Sequence, residues 1–191
     1  MLLGARQECV AGGIDIGEKM LILRRFGYDF LELSLTREEI ASLTPESASI
    51  YQSAIAQTEL AIRSISMGHF GGFAARPLDE RAEIIQHIQA LVDFTAAIGA
   101  DTILLATREE MGTVDKNAEI YDQALRSVAD KAAAAGVTLA LEHVGWYKPY
   151  LLAGLIQALN HPAISLGQHG ALGRCDVPRH ERDPRGEPGL R

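Results

Sequence analysis

Positive charge is scarce in this sequence: 18 lysines and arginines stand against 25 aspartates and glutamates, for a formal net charge of −7. A broad nucleic-acid or anionic-membrane surface needs clustered positive charge, so neither partner is expected. Cysteine is almost absent. Cys9 and Cys175 lie far apart with no metal-ligand spacing, which fits a reducing compartment. Long hydrophobic runs are missing too, since no stretch approaches the roughly 20 apolar residues of a membrane-spanning helix. The first 13 residues hold only a short apolar run, broken by Arg6 and Glu8, and do not read as a signal peptide. The expectation is a soluble, cytoplasmic protein. A glycine-rich phosphate loop after the first apolar run is also lacking, which weighs against a dinucleotide-binding fold.

What is present is a repeated unit. Gly27, Gly99 and Gly136 each close a helical pattern and open an apolar run, at 28–35, 100–106 and 137–142. Glycine suits the left-handed residue that ends a helix, and the run after it reads as a buried strand. Leu78, Ala82, Ile85, Ile88, Leu91 (or Val92) and Ala96 recur at helical spacing behind Pro77, as do Ile120, Ala124, Val128 and Ala132 further on. Shorter helices are expected at 17–26, 46–59 and 149–159, with further strands near 2–7, 62–67 and 163–166. The result is six strands alternating with five helices, the signature of a parallel sheet.

Strand parity selects between a barrel and an open sheet. In 137–142 one face carries Val137, Leu139 and Leu141, and the other Thr138, Ala140 and Glu142. In 28–35, Leu31, Leu33 and Leu35 oppose Glu32 and Ser34. An open sheet covered on both sides is apolar on both faces. Here one face is apolar for helices and the other is small or polar, as in a barrel interior leading to an active-site mouth. The fold class is therefore α/β, a parallel (β/α)8 TIM-barrel type. A full barrel of this kind needs on the order of 250 residues, and the pattern stops near Leu166. The expected organisation is a partial barrel over 1–166, truncated after about six strands, and an irregular tail over 167–191. That tail is rich in Arg, Gly, Pro and His without periodicity. It reads either as a flexible terminus or as out-of-frame translation. A partial barrel leaves apolar faces of its first and last strands open, so a homo-oligomer is expected.

Glu142 is the strongest candidate for chemistry, because barrel enzymes place catalytic groups at the C-terminal ends of inward-facing strand positions. A carboxylate there can ligate a hard cation or move a proton; the plain alternative is a strand-end glutamate facing solvent. His143 has the opposite parity and reads as a packing or loop residue. His69 follows Ser64, Ser66 and Gly68, small residues that leave room inside a barrel, and could bind a substrate hydroxyl or a metal. A loop histidine without a role is the competing reading. Glu32 has inward parity but lies mid-strand, where an internal polar contact competes with a substrate role. Arg108 lies in a charged loop and could hold a phosphate or carboxylate, and Trp146 with Tyr147 could wall a sugar-sized pocket.

The runs Gly27-Tyr-Asp-Phe-Leu-Glu-Leu-Ser, Ser64-Ile-Ser-Met-Gly-His, Ile98-Gly-Ala-Asp-Thr-Ile-Leu-Leu-Ala and Gly136-Val-Thr-Leu-Ala-Leu-Glu-His together resemble the xylose isomerase-like barrel superfamily. That superfamily includes sugar-phosphate isomerases and epimerases, keto-sugar epimerases and the endonuclease IV type of repair enzyme. The resemblance spans about 2–166. It implies that Glu142 is a metal-binding glutamate and one of two proton-transferring carboxylates, and that His69 serves substrate or, in the nuclease type, zinc. The aspartate expected after the sixth strand is replaced in the vicinity by His169. The implied cofactor is a divalent metal (Mn²⁺, Mg²⁺, Co²⁺ or Zn²⁺), and the implied partner is a small sugar or sugar phosphate. Three functions stay open: a metal-dependent sugar or sugar-phosphate isomerase/epimerase, inactive in this form if its site is incomplete; a non-catalytic or assembly-dependent barrel fragment; and an endonuclease IV-type nuclease, which the acidic balance and the absence of a Lys/Arg stripe disfavour.

Overall fold

A computed structural model of the chain describes residues 2–10, 12–107, 114–143 and 149–167. Among these residues, six strands form one sheet, β1 (Gly4–Arg6), β2 (Phe30–Leu35), β3 (Ala61–Met67), β4 (Thr102–Thr107), β5 (Thr138–His143) and β6 (Ile164–Gly167), in sequential order. Every neighbouring pair is parallel. Helices α1 (Ile16–Arg25), α2 (Arg37–Ala41), α3 (Pro45–Thr58), α4 (Leu78–Ala97), α5 (Val114–Ala134) and α6 (Pro149–Leu159) connect them. Sequential parallel strands with helical returns are the βα unit repeated, and the strand boundaries fall within two residues of those read from the sequence. Among the described residues, no helix is long and apolar enough to cross a membrane.

Local chemistry fixes the helix starts. The Asp15 carboxylate caps α1 by accepting from the Glu18 amide at 2.9 Å, and Thr44 caps α3 ahead of Pro45 at its first position. Gly27, Gly99 and Gly136 have φ of 83°, 75° and 69°, the left-handed geometry that a Cβ resists. Helix α2 is an addition to the expected order. Its five residues are too short to show periodicity, but Thr36 and Glu39 form a reciprocal capping box at its start.

The strand parity holds. In β2, Leu31, Leu33 and Leu35 are buried against the helices, while Phe30, Glu32 and Ser34 on the inner face are half-buried. A bulge where β2 meets β3 skips Arg63, so that Glu32 aligns with Ser64 and Ser34 with Ser66. Both serines thereby face inward beside Glu32. Leu2 and Leu3, just before β1, and Leu21 and Phe26, on and after α1, are exposed.

One helix differs in phase from its sequence pattern. Of the residues assigned to the buried stripe of α4, Ile88 and Leu91 are buried, but Leu78, Ala82 and Ala96 face solvent. The stripe instead runs through Ile84, His87, Ile88, Leu91, Val92 and Thr95. The 3.6-residue period admits either line, and β-strand contact selects the second. Leu78→Ala should therefore change unfolding free energy in urea by less than about 0.5 kcal/mol, since Leu78 is 76% exposed. Ile88→Ala, at 0% exposed, should cost about 2–5 kcal/mol. Equal costs would contradict this placement of α4.

Candidate functional site

In a parallel sheet every strand delivers its C-terminal end to one rim. Glu142 stands there on the inner face of β5, 4% exposed, aligned with Ala106 on β4 and Gly167 on β6. The Thr107 hydroxyl donates to the Glu142 carbonyl oxygen at 2.7 Å, which ties the two strand ends together beside the carboxylate. Gly167 fits closely here: a Cβ there would sit 2.8 Å from Leu104 Cδ1 and 3.3 Å from Ala140 Cβ, so the end of the Leu104 side chain would have to shift to admit one. The solvent-facing alternative for Glu142 is thus excluded by its burial.

On the other side of β4, Met67 aligns with Leu105, so Gly68 and His69 leave β3 level with Ala106 and Glu142. His69 lines a rim cavity of about 380 Å³ together with Gln7, Glu8, Ser34, Leu35, Thr36, Arg37, Glu39 and Gly68, within the range of small-molecule sites. Its walls are the segments after β1, β2 and β3. Helix α2, absent from the sequence reading, supplies Arg37 and Glu39.

His69 is half-buried and held by groups that the sequence reading did not single out. Its Nε2 lies 3.1 Å from Nδ1 of His87 on α4, and His87 Nε2 lies 3.7 Å from the Glu83 carboxylate one turn earlier. Arg37 grips Glu83 through both Nε (3.0 Å) and Nη2. Burial pushes the His69 imidazole down to about 4, and the neighbouring His87, Arg37 and Arg76 act in the same direction against Glu83. The Arg37 hydrogen bond holds Glu83 below the usual carboxylate range. The signal available in the sequence was the i,i+4 pair Glu83 and His87 flanked by Ile84 and Ile88.

Glu32 lies deeper. Its Oε1 pairs with Arg6 Nε at 3.1 Å and its Oε2 accepts from the Ser64 hydroxyl at 3.0 Å. Both oxygens are engaged, with Ser34 accepting from the half-exposed Arg6 at 3.3 Å. Arg108, Trp146 with Tyr147, and His169 lie outside the described residues, as does the side chain of His143. Among the described residues no group of three His, Cys, Asp or Glu is disposed to hold a metal ion. Glu142 is a hard oxygen donor suited to a divalent cation, but the described residues do not by themselves assemble a set of three such ligands.

A family model described as xylose isomerase-like TIM barrel matches residues 21–166. The chain belongs to the xylose isomerase-like TIM barrel family. Solved structures share the fold at low identity. A 3-keto-D-glucoside 4-epimerase from E. coli superposes with a TM-score of 0.72 at 15% identity, covering 88% of this chain and 68% of its own. The IolI protein with a bound zinc atom gives 0.70 at 14%, covering 87% and 62%. An AP endonuclease of family 2 from Brucella melitensis gives 0.67 at 16%, covering 87% and 67%. The chain thus spans about two thirds of the length of these relatives. No curated protein matches in sequence.

The depressed His69 pKa gives this family member a pH signature. An ordinary unfolded histidine titrates near 6.5, so between pH about 4 and 6.5 the unfolded chain binds a proton that folded His69 does not. Stability therefore rises with pH across that window, and this contribution is lost on acidification. In His69→Gln, the drop in Tm between pH 7 and pH 5 should shrink. An unchanged drop would contradict the buried, neutral state of His69.

Proposed function

We propose that the chain is a sugar isomerase or epimerase that moves a proton at a carbon next to a carbonyl, with its site on the C-terminal rim of the strands. The observation that carries this reading is the buried, inward Glu142 carboxylate level with the His69 cavity across β4. Strands lie about 4.8 Å apart, so the backbones at Gly68 and Glu142 are separated by roughly 10 Å, the span of a small sugar. Glu142 takes the proton in a water-poor environment, where a carboxylate is a competent base. His69, neutral above about pH 4, binds a substrate hydroxyl without adding charge. Family relatives that are an epimerase of a keto-glucoside and a zinc-bound protein support this class of chemistry. A divalent metal belongs to the same proposal, with Glu142 as one ligand and the others, His169 among the candidates, outside the described residues.

A nuclease is the weaker reading despite the endonuclease relative. The charged residues lining the rim cavity are Glu8, Glu39 and Arg37, and Arg37 is already paired with Glu83. Such a wall repels a phosphate backbone. A site completed only by assembly with other chain segments is favoured by one observation, the lack among the described residues of any group of three His, Cys, Asp or Glu able to hold a metal.

The test is deuterium incorporation from D₂O next to the carbonyl of a panel of ketoses and keto-glucosides, with Mn²⁺ supplied. Exchange is expected, and Glu142→Gln should reduce it by a factor of at least about 100 with the fold retained. Exchange that survives Glu142→Gln removes Glu142 from the chemistry. Cleavage of an abasic duplex without any exchange favours the nuclease, and neither activity favours the assembly-dependent fragment.

A further inference from the structure

The buried imidazole of His87 has no place in the proton transfer itself, yet it is built into the wall behind the rim cavity. It is 7% exposed on α4, between the buried Ile84 and Ile88. Its ring meets that of His69 edge-on, with centroids 5.2 Å apart and an interplanar angle of 83°. Its two nitrogens face different groups: Nδ1 faces His69 Nε2 at 3.1 Å, and Nε2 faces Glu83 Oε1 at 3.7 Å.

We propose that His87, oriented by Glu83, is a positioning residue that fixes His69 as the Nε2–H tautomer and so presents its Nδ1 to the rim cavity as a neutral acceptor for a hydroxyl donor. A neutral imidazole has one N–H and one lone pair. The Glu83 carboxylate can only accept, so the proton of His87 is favoured on Nε2, which leaves a lone pair on Nδ1. His69 Nε2 must then donate to it. The reverse direction would aim a bare His87 nitrogen at a carboxylate. Arg37 grips Glu83 from the far side with two nitrogens, which holds the carboxylate in the orientation that enforces this order.

The remaining nitrogen of His69 has no hydrogen-bond partner among the described residues. An acceptor there selects a ligand group that carries a hydrogen, such as a polyol hydroxyl, over a carbonyl or phosphate oxygen. The charged and titratable groups around it are His87, Arg37, Arg76 and Glu83, with Glu8 and Glu39 on the cavity wall. The identity of the hydroxyl donor rests on the sugar reading above; the tautomer does not.

The experiment is long-range ¹⁵N–¹H correlation on the histidine rings of the labelled full chain at pH 8, where free imidazole is neutral. The wild type should show His69 protonated on Nε2 and bare on Nδ1 as one tautomer. His87→Ala should give the mixture of tautomers seen in a free ring, and His87→Gln, which keeps an acceptor oxygen, should restore part of the preference. Because His87 is buried, the change Glu83→Ala at a half-buried position is the second arm, and it should also shift His69 towards the mixture. A wild-type proton on Nδ1, or a His69 tautomer unmoved in Glu83→Ala, overturns the proposal. D-fructose added to the wild type should shift His69 Nδ1. If the tautomer is as stated and D-fructose leaves it unmoved, the sugar reading of the rim fails while the positioning role of His87 stands.

Discussion

Everything in this molecule depends on strands that all run the same way. Parallel pairing sends each strand's C-terminal end to one rim and alternates its side chains between helix layer and interior. A one-residue slip in any strand would move its inward set outward. Among the described residues, the bulge between β2 and β3 is the one place where the register shifts, and it realigns Glu32 with Ser64. Without it, Arg63 would take the inward position that Ser64 holds, beside Glu32. The register of β4 with β3 and β5 then places Gly68, Ala106 and Glu142 on one level.

The interior is divided by depth. Around mid-strand, Arg6 and Ser64 engage the two oxygens of Glu32, and Ser34, which accepts from Arg6, also lines the rim cavity. Towards the rim the polar groups turn outward to the cavity, and they are braced from behind by α4. His69 depends on His87, His87 on Glu83, and Glu83 on Arg37 at the start of α2. This chain crosses from a strand end to one helix and back to the cavity wall at another. Rotamer freedom is spent in the folded state so that a ligand need not order those groups on arrival.

The repeated unit was legible from glycine punctuation and alternating runs, because backbone geometry imposes both. The inward parity of Glu142, Glu32 and Ser64 was legible for the same reason. The phase of α4 was not, since Leu78 and Ile84 start equally good apolar stripes and only contact with the sheet separates them. Helix α2 was missed because five residues carry no period, although Thr36 and Glu39 announced its cap. His87 was missed because its partner is 18 positions away on another element; local spacing records the Glu83 contact and nothing of His69. The role of Glu32 could be narrowed only once Arg6 and Ser64 were seen at its two oxygens.

On the proposed function, small sugars meet this chain at the C-terminal rim, between the His69 cavity and Glu142. The most direct test is backbone amide chemical-shift mapping during a D-fructose titration. The account predicts shifts concentrated at Gly68, His69, Thr107 and Glu142, with residues at the opposite strand ends, such as Asp29, Asp101 and Val137, unmoved. Shifts centred on those opposite ends would contradict it.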